Sequence, residues 1–132
     1  MTRINSGIPV ETLHRKHLLA EAREIIRVPN TIKSGKAVVK DIPKKFTLGK
    51  GHVKFFYDKL LFLRNRYQLL FEECIKRGYK VTNFVSAWDG VPEHLMNDWI
   101  PTEEAKLLLE ERISERLGEI LKKEKKISKE VL

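Results

Sequence analysis

Thr2 is the first residue of the chain that could take part in a reaction, because of its place directly after Met1. A small residue in second place permits removal of Met1, which would expose the threonine α-amine. An α-amino group has a pKa of about 7.7 to 8.0, so an appreciable fraction is neutral and nucleophilic at pH 7. Nearby cations such as Arg3, Arg23 or Arg27 would increase that fraction. Because very many proteins carry Thr in second place, this position alone does not establish a catalytic role.

Residues 17–27 carry further reactive groups at helical spacing. Arg23 and Arg27 are four residues apart and would share a helix face, as a two-pronged phosphate clamp requires. Glu24 is adjacent to Arg23 and one turn beyond Glu21. Two carboxylates among basic residues indicate either a catalytic site or a structural ion-pair network, and the pattern alone favours the network.

His14, His17 and Glu21 also have the spacing of metal ligands on one helix. A fourth ligand is not evident, since Cys74 belongs to a different predicted core stripe. The sequence therefore predicts no metal site.

The basic residues are concentrated in the first half of the chain. Residues 1–66 contain 15 Lys and Arg against 5 Asp and Glu, a net charge of +10, whereas the rest contain 11 against 13, a net charge of −2. A strongly positive half favours a polyanionic partner, because neutralised phosphates release their condensed counterions. Nucleic acid is the natural candidate, and a solvated basic face that only aids solubility is the alternative.

Composition indicates one domain, spanning residues 1–132. A chain of this length with 42% hydrophobic residues can bury a core without disulfides or metals. Cys74 is the single cysteine, which favours a reducing, cytoplasmic compartment. The longest stretch without Asp, Glu, Lys or Arg is residues 81–88, far shorter than the roughly 20 apolar residues of a membrane helix. We expect no membrane association.

Three main helices must position these groups. The first is predicted over about residues 10–26, between Pro9 and Pro29 as a stop signal. One of its faces would mix apolar and polar side chains, which is unusual for a core stripe: Leu13, His17, Ala20, Glu21 and Glu24. Residues 30–45 contain Gly35, Pro43 and several lysines, which indicates a short helix or turn and then a basic loop.

The central core helix is predicted over about residues 51–77. Its apolar residues alternate spacings of three and four, and Gly78 stands where a left-handed cap would end the helix: Val53, Phe56, Leu60, Leu63, Tyr67, Leu70 and Cys74.

Residues 81–101 are aperiodic and predict an ordered loop that holds Trp88 and Trp99. A last helix should begin after Pro101 with Thr102 as its N-cap, and it would bury the stripe Ala105, Leu109, Ile113, Leu117 and Ile120. Residues 122–132 either extend this helix or fray into a basic tail. No alternating strand pattern of useful length occurs, so the predicted fold is all-α.

The residues that match one known protein family are Thr2-Arg3-Ile4-Asn5, His17-Leu18, Ala20-Glu21, Arg23-Glu24, Arg27, Phe46, Leu48-Gly49, Gly51-His52-Val53, Phe55-Phe56-Tyr57-Asp58-Lys59-Leu60, Phe62-Leu63-Arg64, Arg66, Glu73-Cys74, Lys76-Arg77-Gly78, Asp98 and Ile100-Pro101. On these residues the chain resembles the viral and bacterial pyrimidine-dimer DNA glycosylases. The resemblance covers about four-fifths of the chain, including its beginning.

The resemblance implies a glycosylase with abasic-site lyase activity that acts on damaged double-stranded DNA. The Thr2 amine would attack C1′ of the damaged nucleotide's sugar and form an imine. Glu24 would stabilise the cationic sugar and promote proton loss at C2′, so that β-elimination breaks the strand. The DNA-binding residues would be Arg3, Lys16, His17, Arg23, Arg27, Arg112 and Arg116. No cofactor is implied, and a monomer is expected.

The chain departs from the family pattern at several positions. Ala22 replaces a family tyrosine, Lys16 replaces a glutamine, and Arg116 replaces a lysine. An extra residue occurs near Gly7, and the chain ends in lysines and Glu130-Val131-Leu132 instead of an aromatic tail. Lesion preference is therefore open. The same chemistry on other lesions or abasic sites, and a non-catalytic DNA-binding module, are the alternatives.

Overall fold

Five α-helices make up most of the ordered backbone in this computed structural model, which describes residues 3–131 and the side chains of residues 3–124. They are α1 (Arg15–Glu24), α2 (Arg27–Lys33), α3 (His52–Phe55), α4 (Leu60–Lys76) and α5 (Glu103–Val131). Single 3-10 turns occur at Val10–Thr12, Val85–Trp88 and Glu93–Leu95. No strand occurs in this range, so the predicted all-α class is confirmed.

Helix α1 is shorter than the predicted helix over residues 10–26. Leu13 and His14 are both extended, with ψ angles of 136° and 148°, and separate the first 3-10 turn from α1. His14 then caps α1, because its Nδ1 accepts the Lys16 amide N–H at 3.1 Å. The extended residues allow Leu13 to enter the core, where only 3% of its surface is exposed.

Pro29 was predicted to be a helix stop signal, but this prediction is wrong because Pro29 is the third residue of α2. Proline is tolerated there because amide groups in the first turn have no intrahelical partner. The chain turns at Ile25 and Ile26 between the two helices. Arg23 and Arg27 therefore belong to different helices, and the clamp predicted on one continuous helix is wrong in that respect.

The predicted central helix is interrupted, because α3 ends at Phe55 and α4 begins at Leu60. Phe55 and Phe56 are both almost completely buried. Two successive residues cannot both lie in one narrow helical stripe, so the break allows both rings to enter the core. The rest of the stripe, from Leu60 to Cys74, is buried as predicted. Gly78 has φ +84°, which confirms its left-handed conformation.

Helix α5 begins as predicted, since the Thr102 hydroxyl accepts the Ala105 amide N–H at 3.1 Å. Ala105 and Leu109 are buried, whereas Ile113 is half-buried. The backbone stays helical to Val131, so the lysine-rich end extends this helix.

Buried side chains from Ile4 to Leu109 form one hydrophobic cluster, in which α1 packs on α4. The amino-terminal segment turns at Gly7, which has φ +76°. A Cβ atom at Gly7 would lie 2.9 Å from the Pro101 Cβ, so glycine permits close approach to the start of α5. Close by, the Asn5 side chain binds Glu21 of α1 and Arg112 of α5, so the amino-terminal segment contacts both helices. In the described range, no helix is long and apolar enough to span a membrane.

Candidate active site

A cleft of about 400 Å³ opens between the amino-terminal segment, α1 and α5. Its lining combines basic, acidic and apolar side chains: Arg3, Asn5, Lys16, His17, Ala20, Glu21, Glu24, Arg112, Ile113, Arg116, Glu119, Ile120 and Lys123. Six of the predicted site residues are in this set, namely Arg3, Lys16, His17, Glu24, Arg112 and Arg116. The cleft therefore joins three chain segments that are far apart in sequence.

A buried polar network forms the floor of the cleft. Arg66 of α4 binds Glu21 through both Nε and Nη2, at 2.8 and 3.0 Å, and its Nη1 donates to the Ile8 carbonyl. Asn5 donates from Nδ2 to Glu21 Oε1 at 3.0 Å. The Asn5 Oδ1 in turn accepts from Arg112 Nη2 at 3.1 Å. The network thus connects the α1–α4 packing to a cation on the cleft wall.

Arg112 is held among other cations. Burial, followed by the proximity of Arg3 and Arg116, lowers the pKa of Arg112 to about 10, and Glu21 acts in the opposite direction. Arg112 is still protonated at neutral pH. The crowding of cations in a partly enclosed cleft produces a positive potential suited to phosphate groups.

The two glutamates of α1 have different surroundings. Glu21 is 1% exposed and is fully engaged by Arg66 and Asn5. Glu24 is half-buried on the cleft wall, and no hydrogen bond or ion pair joins its side chain to another described residue. The sequence left open whether these two glutamates belong to a catalytic site or to a structural ion-pair network. Glu21 belongs to a network, whereas the Glu24 carboxylate lines the cleft and has no partner among the residues whose side chains are described.

His17 lies half-buried on the same wall. Burial, and then the proximity of His14, Arg112 and Arg116, lowers its pKa. Its Nδ1 is enclosed without a hydrogen-bond partner among the residues whose side chains are described. A neutral imidazole beside several cations can accept or donate a hydrogen bond to a bound group.

Two of the remaining predicted residues, Arg23 and Arg27, lie outside this cleft. Arg23 is exposed and lines a neighbouring groove with Arg15, Lys16, Tyr79 and Lys80, among others. Arg27 is exposed at the start of α2 and lines neither groove. Thr2 lies outside the described residues.

Sequence reasoning missed several residues of the cleft, namely Asn5, Glu119 and Lys123. Asn5 stood in the matching opening run Thr2-Arg3-Ile4-Asn5, but its type and position gave no signal of a bridging role. Glu119 lies on α5 three residues beyond Arg116, so helical spacing could have indicated its proximity.

The alternative of a metal site on α1 conflicts with the contacts of its proposed ligands. His14 Nδ1 caps the helix, and both oxygens of Glu21 accept from Arg66. Within the described residues, no group of three His, Cys, Asp or Glu side chains has a metal-binding arrangement.

A family model described as pyrimidine dimer DNA glycosylase matches residues 1–86 of the chain. The matched span includes Arg3, Lys16, His17 and Glu24 of the cleft. It ends before α5, so Arg112 and Arg116 reach the cleft from a helix beyond the matched span.

Proposed function

Because the chain belongs to the pyrimidine dimer DNA glycosylase family, we propose that it releases the damaged base through the α-amine of Thr2 and then cleaves the strand as an abasic-site lyase. The observation that carries this proposal is the meeting of Arg3 and Glu24 in one basic cleft. One peptide bond joins Thr2 to Arg3, and consecutive Cα atoms are about 3.8 Å apart. An amine at the start of the processed chain is therefore a natural nucleophile for this cleft.

The proposed reaction needs neither a metal nor an organic cofactor, since each bond that forms is matched by one that breaks. The neutral amine bonds to C1′ of the sugar, and the C1′–N bond to the base breaks with its electron pair leaving on the base. The sugar ring opens as the imine forms. Loss of a proton from C2′ then sends electrons toward C3′, and the C3′–O bond to phosphate breaks.

Glu24 would serve two steps of this sequence. Its carboxylate stabilises the positive charge that develops on the sugar, and it promotes transfer of the C2′ proton. The half-buried Glu24 carboxylate on the cleft wall suits both roles, whereas the Glu21 carboxylate is bound to Arg66.

We assign binding of the phosphates beside the lesion to the cations of the cleft, namely Arg3, Lys16, Arg112 and Arg116, with His17 at the pocket. Arg23 and Arg27 would contact phosphates further along the duplex. Family resemblance implies extrusion of a base opposite the dimer, and that step costs less where pairing is already damaged.

The same chemistry on other lesions, or on abasic sites alone, is the second candidate. The lysine-rich carboxyl-terminal end favours it, because it stands in place of a family aromatic tail that is associated with dimer recognition. Ala22 also replaces a family tyrosine between two of the site residues. Comparing cleavage of duplexes that contain a dimer, an oxidised base or an abasic site separates the two candidates.

Borohydride trapping tests the proposed nucleophile. Protein lacking Met1 should form a covalent adduct with dimer-containing DNA, and mass spectrometry should place the adduct on the amino-terminal peptide. Protein that retains Met1 should fold normally but form no adduct. An adduct on a lysine, or none at all, would overturn the mechanism.

Three further expectations belong to the same proposal. The whole chain would act as one DNA-repair domain, in an intracellular compartment that contains DNA, and as a monomer. Sedimentation of the free protein and of its complex with a short duplex checks the monomer expectation.

A further inference from the structure

His52 lies outside the cleft lining but contacts the amino-terminal segment directly. The ring is 2% exposed at the beginning of α3. Its Nε2 accepts the backbone N–H of Ile4 at 3.0 Å, and its Nδ1 lies 2.9 Å from the Thr47 carbonyl oxygen. One buried side chain therefore joins the loop before α3 to a residue two positions beyond Thr2.

These two contacts define the protonation state of the ring. The Thr47 carbonyl can only accept a hydrogen bond, so Nδ1 carries the proton. Nε2 is then the unprotonated nitrogen and can accept the Ile4 N–H. A doubly protonated imidazole would direct a second N–H at the Ile4 N–H, which replaces an attraction with a repulsion.

The surroundings of the ring favour the neutral form. Burial lowers the pKa of His52, and the cations Arg112 and Arg3 act in the same direction. The Thr47 carbonyl and Glu21 act in the opposite direction.

Aromatic neighbours hold the ring in this orientation. The rings of Phe46 and Phe56 meet it edge to face, with centroids 5.4 and 5.5 Å away. Rotation of the imidazole would break both hydrogen bonds and disturb this packing. The acceptor for the Ile4 N–H is therefore fixed before any ligand enters.

The next residue, Asn5, joins Glu21 and Arg112 through its side chain. The amino-terminal segment is thus held at Ile4 by its backbone and at Asn5 by its side chain. We propose that His52 is a positioning residue for the reaction, which fixes the backbone at Ile4 so that the Thr2 amine meets the sugar in the cleft. This inference rests on the proposed function of Thr2.

Two amide substitutions separate anchoring from general destabilisation. In His52→Gln the side-chain oxygen stands near the position of Nε2 and can accept the Ile4 N–H. In His52→Asn the shorter side chain can reach Thr47 but not Ile4. Both variants introduce a polar amide among the same aromatic rings, so they are matched in chemistry.

Single-turnover borohydride trapping at saturating protein is the activity readout, with an abasic duplex as substrate. We expect His52→Asn to trap about 10- to 100-fold more slowly than wild type, because small misplacement of a reacting group has effects of this size. DNA affinity should change less than about 3-fold on this account, since the phosphate-binding side chains are untouched. His52→Gln should regain most of the rate, and His94→Gln, at an exposed histidine, should match wild type.

Hydrogen exchange of the Ile4 amide tests the anchor without any reaction. Exchange should be fast in His52→Asn and slow in wild type and in His52→Gln. Equal exchange in the three proteins, or equal trapping by the two variants, would overturn the inference. A wild-type adduct that maps away from the amino-terminal peptide would instead overturn the proposed function, and the exchange result would still decide whether His52 anchors Ile4.

Discussion

At the scale of single residues, environment divides the roles of chemically identical side chains. Glu21 and Glu24 are one helical turn apart on α1, but Glu21 is buried and paired with Arg66, whereas Glu24 is half-buried and has no partner in the described part of the chain. A paired, buried carboxylate maintains the fold, whereas a half-buried carboxylate in a basic cleft is available to a substrate. Sequence spacing located both residues but could not separate them.

Glu24→Gln tests the catalytic assignment. We expect turnover of dimer-containing DNA to fall by about 10²- to 10⁴-fold, because a neutral amide cannot stabilise the cationic sugar or take up a proton. Gel-shift affinity should be retained or slightly increased, since a negative charge leaves the basic cleft. Glu110→Gln makes the same charge change at an exposed position of α5 and should leave turnover intact. A non-catalytic DNA-binding module would instead show no turnover in either protein.

Arg66→Met tests the buried network. It leaves the Glu21 carboxylate buried without its partner, which typically costs about 3 to 5 kcal/mol of unfolding free energy. Urea denaturation measures the loss. The double variant Arg66→Met with Glu21→Met removes both charges and should regain part of the stability. A single variant as stable as wild type would contradict the importance of the pair.

At the scale of elements, the residues at which helices begin and end depend on tertiary and capping contacts, which the hydrophobic periodicity of the sequence does not indicate. The predicted first and central helices are each divided, at His14 and at residues 56–59, because side chains there serve as a cap or enter the core. The start of α5 was predictable, since Thr102 is a strong N-cap type directly after Pro101. This helix carries Arg112 and Arg116 to the cleft, so the residue at which the helix begins also determines where these two side chains lie.

Thr102→Ala should lower the unfolding free energy by about 1 kcal/mol, because the Ala105 amide loses its side-chain acceptor. Thermal or urea unfolding measures the change. Thr82→Ala is the matched control, because Thr82 is exposed and its side chain makes no hydrogen bond to another described residue. Equal losses in the two variants would argue against a capping role.

At the scale of the whole molecule, charge and protonation govern binding and stability together. The chain carries a net charge of +8, and the cleft collects cations from the amino-terminal segment, α1 and α5. Burial, and then the arginines among these cations, lowers the pKa values of His17 and His52 and so disfavours their protonation. Low pH therefore destabilises the fold around the cleft to which we assign phosphate binding.

Stability should decrease as pH falls below about 6.5, the ordinary pKa of histidine. The pKa values of His17 and His52 are lowered in the folded protein, so the unfolded chain binds more protons in this range and gains free energy. The stabilisation is fully present above 6.5 and is lost as pH falls through the folded pKa values. Urea unfolding at several pH values measures the slope. His17→Gln should flatten it, and His94→Gln, at an exposed position, should not.

Salt should weaken DNA binding steeply, because phosphate contacts release counterions. Replacing Arg116 of the cleft by Gln should reduce the slope of log K against log salt concentration by about 0.9. Fluorescence anisotropy on undamaged and damaged duplexes measures both slopes. Lys76→Gln, at an exposed residue outside the two basic grooves, serves as the control. An unchanged slope for Arg116→Gln would remove it from the phosphate-binding set.

The sequence alone determined the all-α class, the core stripe of α4, the start of α5 and most cations of the cleft. The first three features follow from local spacing and residue type, which act over a few positions along the chain, whereas Lys16, Arg112 and Arg116 were predicted from the family resemblance. Only the tertiary structure decided that Glu21 pairs with Arg66, that Asn5 connects Glu21 to Arg112, and that His52 accepts the Ile4 N–H. Those contacts join residues 16 to 107 positions apart, so they depend on how helices pack and leave no periodic trace in the sequence.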